Sequence, residues 1–71
     1  MKALLDYVEN GLGHLDKLIE SGDIEAALRH GEIFSNSAMS AVGSDLKTSR
    51  RALRLATLAR STSLLAERKR R

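Results

Sequence analysis

Leu15-Asp16-Lys17-Leu18-Ile19-Glu20-Ser21-Gly22-Asp23-Ile24-Glu25-Ala26-Ala27-Leu28 decides the fold. Apolar residues recur on both sides of Ser21-Gly22-Asp23 at the three- and four-residue spacing of an amphipathic helix. The three residues between them stop one helix and start another. Gly22 suits the left-handed position that follows a helix, and Asp23 can cap the next by accepting a backbone N–H. Glu25 puts negative charge in the new helix's first turn, where the helix dipole favours it. So short a turn reverses the chain, and the stretch predicts an αα-hairpin.

Working back from the turn, Leu5, Val8, Leu12, Leu15 and Ile19 form a heptad stripe, widened by Leu4 and Leu18, on a helix over about 3–20. Gly11 and Gly13 lie inside it, each costing roughly 1 kcal/mol relative to Ala. Either they admit a neighbouring helix closely or they loosen this one. Working forward, a helix over about 24–42 carries Ile24, Ala27, Gly31, Phe34, Ala38 and Ala41 on one seam, flanked by Leu28 and Val42. Small residues around a single Phe suit close packing, with the Leu-rich first helix as the expected neighbour. Ser35-Asn36-Ser37 is its polar patch.

Gly43-Ser44-Asp45 is the second break, with Ser44 or Asp45 as cap of a third helix over about 45–68. At 100° per residue, Ala52, Leu55, Ala56, Ala59, Ser63 and Ala66 share one face. Leu46, Leu53 and Leu64 lie on one flank, and Leu58 and Leu65 on the other. Lys47, Arg50, Arg51, Arg54 and Arg68 form a basic face away from the alanines. Arg68-Lys69-Arg70-Arg71 is expected to fray, with residues 69–71 as a basic tail. Proline is absent and no stretch alternates at period two, so strands have no support. The fold class is all-α: one domain over 1–71, an αα-hairpin plus a third amphipathic helix, as a three-helix bundle or a helix-exchanged dimer.

With 71 residues, Tyr7 and Phe34 as the only aromatics, and no Cys, the core is thin and no disulfide reinforces it. Association is the remaining support, so a homo-oligomer or a dedicated partner is expected. No apolar run approaches the roughly 20 residues of a membrane span. The start meets Asp6 and Glu9 too early for a signal-peptide core, and the cytoplasm is the expected compartment.

Charge divides the chain. Residues 1–43 carry three cations against seven acids, a net −4, and residues 44–71 carry nine against two, a net +7. Opposite segments attract within a chain or between copies, a structural reading that needs no ligand. The functional reading is a basic helix facing an acidic partner, with nucleic acid the alternative partner because phosphate neutralisation gives sequence-independent affinity. No aromatic accompanies the arginines to stack on bases, and the second turn is no helix-turn-helix turn. Membrane-surface binding has less support, since no Trp or Phe anchors the third helix.

His14 and His30 stand eight residues before and after Gly22, so antiparallel pairing brings them level. No His-x-x-x-His or comparable ligand spacing accompanies them, and partly exposed surface histidines are the expectation. The serines lack a nucleophile elbow, and no glycine pair makes a phosphate loop. The expectation is a non-enzyme, without catalytic residues, metal or cofactor.

Gly22-Asp23-Ile24-Glu25-Ala26-Ala27-Leu28, followed by Gly31 and Phe34, resembles the turn and second helix of a tetratricopeptide-type hairpin. Leu15 stands where that pattern has a small residue and no second repeat follows, so no solenoid is implied. The overall plan resembles the small helical chaperones of flagellar and type III secretion systems. That resemblance implies a final helix that docks on or masks a partner. The expected function is a helical protein-binding module, a small chaperone or regulator. It binds a partner helix or a second copy through Leu46, Leu53, Leu55, Leu58, Leu64 and Leu65.

Overall fold

The computed structural model describes residues 2–70; Met1 and Arg71, the last residue of the expected tail, lie outside the described residues. Three helices follow one another: α1 (Lys2–Glu20), α2 (Ile24–Met39) and α3 (Leu46–Arg70). They pack as a three-helix bundle, with α2 contacting α3 more extensively than α1.

The first turn is built as the sequence predicts. Gly22 has φ +84°, its N–H donates to the Ile19 carbonyl at 3.1 Å, and the Asp23 N–H reaches back to Leu18 at 2.9 Å. That pair of bonds is a Schellman closure, and it satisfies carbonyls that α1 would otherwise leave unpaired. Asp23 then opens α2 by accepting the Ala26 N–H on Oδ1. One residue therefore closes one helix and starts the next, which is why three residues suffice for the reversal.

α2 stops at Met39, three residues before the predicted end at Val42. Beyond it the chain tightens, and Ala41 and Val42 donate to Ala38 and Met39 with three-residue spacing. Gly43 takes φ +102°, and its N–H donates to Ser49 Oγ at 2.9 Å. Of the two predicted caps, Asp45 holds α3: Oδ1 accepts the Thr48 N–H at 2.8 Å and Oδ2 accepts the Thr48 hydroxyl at 2.9 Å. These bonds, the backbone N–H first, hold the Asp45 carboxyl below its ordinary value of 3.8. At the other end, Arg68, Lys69 and Arg70 continue α3 instead of fraying as a tail. Long cationic side chains are good helix formers, and their charge complements a helix C-terminus.

The predicted stripes meet in the core. Leu5, Val8, Leu15 and Ile19 of α1 are buried, as are Ala27, Gly31, Phe34 and Ala38 of α2, with Ala41 just beyond it. α3 contributes Ala52, Leu55, Ala56, Ala59 and Ala66. The small-residue seam of α2 serves α3 as well as α1. Gly31 lies against Ser63 and the Ala59 carbonyl, leaving no room for a side chain, and Ser63 Oγ is buried with no hydrogen-bond partner. Towards α1, the Phe34 ring occupies the space beside Gly11, where a Cβ would come within 2.6 Å of both Cε atoms. Gly13 faces open space.

The two glycines of α1 therefore predict opposite outcomes in urea unfolding. Gly13→Ala gains helix propensity without a clash and raises stability by about 0.5–1 kcal/mol. Gly11→Ala has the same propensity gain but drives a methyl into a packed ring, and falls about 1–3 kcal/mol below wild type. The Asp45 cap predicts an acid response. Because its folded pKa is depressed, its contribution is complete above about pH 4 and disappears as pH falls through the lowered value. Thermal melts followed by circular dichroism between pH 5 and 2.5 check this. Asp45→Asn keeps a capping oxygen that does not titrate, and loses less stability over that range than wild type.

Candidate functional site

α3 carries all the exposed leucines among the described residues, while Tyr7, Ile33, Met39 and Val42 are exposed outside it. Five of the six leucines expected to bind a partner remain on the surface: Leu46 at 68% exposure, Leu53 and Leu58 at 47%, Leu64 at 58% and Leu65 at 48%. The sixth is a correction. Leu55 is 2% exposed and sits with Leu5, Val8 and Phe34 in the core, so it cannot touch a partner. It shares the alanine face of α3, and it is the one large side chain there that fills the space between helices.

The exposed leucines do not form one face. Leu53 and Leu64 border a shallow groove of about 290 Å³, with Met39 of α2 on its far wall, Ala56 and Thr57 beside them and Arg60 on its rim. Leu46 continues the same flank towards the start of α3, at the same angular position as Leu64. Leu58 and Leu65 lie on the opposite flank of α3. Thr57, inside the groove, donates its hydroxyl to the Leu53 carbonyl at 2.8 Å, so the helix itself satisfies that group. Met39, 43% exposed, is a wall of this groove that residue-by-residue reading of α3 could not supply.

The basic face divides by role. Arg51 is half-buried and bridges α3 to α1, donating to Asp6 Oδ1 at 2.7 Å and to Glu9 Oε1 at 2.6 Å. Hydrogen bonds to Glu9 and then Asp6 raise its pKa further above the ordinary guanidinium value. It is the point where the acidic hairpin and the basic helix attract each other. Lys47, Arg50 and Arg54 line a cleft of about 840 Å³ with Lys2 of α1 and Leu46. Among the described residues Arg51 is ion-paired, and Lys47, Arg50 and Arg54 have no ion pair. Arg68 lies near the far end of α3, away from this cleft.

On the outer seam of α1 and α2 the two histidines face each other as the spacing predicts, with ring centroids 6.1 Å apart and planes at 82°. They extend a row of rings: His30 stacks on Phe34, and Tyr7 meets the Phe34 ring edge-on with centroids 5.4 Å apart. Among the described residues no group of three or more His, Cys, Asp or Glu is placed to hold a metal ion. Among them, too, no helix is long and apolar enough to cross a membrane. Comparison with protein-family models, with curated proteins and with solved structures found no match to this chain.

Proposed function

We propose that this chain is a non-enzymatic helix-binding module, a small cytoplasmic chaperone or regulator that holds an amphipathic helix of another protein along the outer flank of α3. The observation that carries it is the groove between Met39 and the Leu53–Leu64 ridge, continued by Leu46. Three leucines, each about half exposed or more, share one flank of a helix whose other face is closely packed. From Leu46 to Leu64 the helix rises about 27 Å, room for some five turns of a partner. A ridge of large apolar side chains beside a groove is the usual receptor for a helix with apolar residues at three- and four-residue spacing. Arg60 on the rim and Arg50 and Arg54 on the adjoining face favour a partner helix with an acidic edge. The resemblance to small secretion chaperones agrees with a final helix as the docking element.

A designed 18-residue amphipathic peptide with leucines on one face and glutamates on its edges is the test probe. Titrated against the full chain by fluorescence anisotropy, it binds saturably, and a lysine-edged counterpart binds at least tenfold more weakly. Leu53→Asp combined with Leu64→Asp abolishes binding while leaving the circular dichroism spectrum and melting temperature close to wild type. Failure of the acidic peptide to bind a monodisperse monomer overturns the reading. A concentration-dependent dimer that the same double substitution dissociates would assign the groove to a second copy instead.

A further inference from the structure

The cleft at the start of α1 and α3 contains cations that folding does not need. Lys47 lies in the first turn of α3, and Arg50 and Arg54 follow on the same side at three- and four-residue intervals. Positive charge near a helix N-terminus opposes the macrodipole, and no acidic residue occupies that first turn to offset it. Asp45, the cap just before α3, is the nearby acid on the helix axis, so the cations act from the side of the helix rather than from its end. Arg51, the fourth basic residue of this stretch, does have a folding role, and its partners Asp6 and Glu9 show how an unneeded charge would be neutralised. Lys47, Arg50, Arg54 and Lys2 of α1 instead converge, with no ion-paired acid among the described residues, on one concavity that the paired Arg51 also lines.

We infer that this cleft binds the phosphodiester backbone of a nucleic acid, independently of its sequence. Lys47 to Arg54 spans about 10 Å along α3 at 1.5 Å per residue, a length over which long cationic side chains reach neighbouring phosphates of one strand. The cleft is lined by Leu5, Leu46 and Thr48 besides its cations and holds no aromatic ring. It therefore offers charge to phosphates and no stacking surface to bases, which fits the backbone of a duplex rather than an unpaired strand. This cleft adjoins the flank proposed for a partner helix and shares Leu46, Arg50 and Arg54 with it, whereas Leu53 and Leu64 belong to the groove alone, so the leucine pair and the cation triple separate the two readings.

A fluorescein-labelled 20-base-pair DNA duplex of arbitrary sequence, titrated with the full chain between 50 and 200 mM salt, tests the site. Four phosphate contacts predict a log–log slope of about −3.6, the same for a second unrelated duplex. Lys47→Glu, Arg50→Glu and Arg54→Glu together lower affinity at 50 mM salt at least tenfold. The same triple variant melts above wild type, because acids replace cations beside the positive end of the dipole; a merely structural role would lower both. Absence of binding by the wild type at 50 mM salt overturns the inference. So does a triple variant that binds as wild type does, or an equal or larger loss on Arg68→Ala with Lys69→Ala. Binding to phosphatidylserine vesicles without binding to the duplex would also reject it in favour of a lipid headgroup.

Discussion

Close approach of α2 and α3 is the constraint from which the remaining structure follows. Gly31 opposite Ser63, and Ala38 in the same core as Ala52, Ala56 and Ala59, remove the bulk that usually separates two helices. A core with few large side chains fills its space by bringing backbones closer together, as Gly31 and Ser63 do here. The largest fully buried side chains are Leu5, Leu15, Leu55 and Val8. The same closeness limits what α3 can bury. An interface built of alanines has no cavities for leucines at its edges, so Leu46, Leu53, Leu64, Leu58 and Leu65 remain on the two flanks. The exposed apolar ridge is thus a consequence of how the bundle closes.

Charge plays a smaller part in the fold than its distribution suggests. A hairpin at −4 against a segment at +7 invites a network of interhelical pairs, yet Arg51 with Asp6 and Glu9 forms the described bridges. Partly exposed pairs of this kind orient helices more than they stabilise them. Burial of the alanine face sets the rotation of α3, and Arg51 joins Asp6 and Glu9 from the edge of that face, with Lys47, Arg50 and Arg54 lining a cleft with Lys2 of α1. Most of the basic excess therefore stays on the surface as a field that attracts anions.

Local chemistry was legible in the residues, and tertiary choices were not. The Gly22–Asp23 reversal, the two apolar stripes and the level histidines follow from periodicity and capping that act over a few residues. Leu55 was legible too: its spacing sets it on the alanine face, apart from the flanking leucines, and its place among the partner-binding residues ran against that angular position. Gly11 and Gly13 are two residues apart and equally unfavourable in a helix, and only the position of Phe34 gives one of them a purpose. The end of α2 moved for a similar reason. Val42 continued the apolar pattern, but the run through Ser40 and Gly43 is held by hydroxyl-to-carbonyl bonds from Ser40 to Ser37 and Ser44 to Ala41, which compete with helical continuation.

A sequence selected only to fold would make its local preferences agree with its tertiary structure. α1 and α2 come close to this: stripes are buried, turns are capped, acids lie near the start of α2, and the two tight glycines, Gly11 and Gly31, each face a close neighbour. α3 departs from it twice, with leucines on flanks that nothing covers and with cations in its first turns. Neither departure has a compensating contact inside the bundle. Both lower the stability of an already thin core, the first through exposed apolar area and the second through the helix dipole. Departures concentrated on α3, on surfaces with different chemistry, are best explained by ligands that meet that helix from outside. The hairpin then has a single physical task, which is to hold the alanine face of that helix and leave the rest of it free.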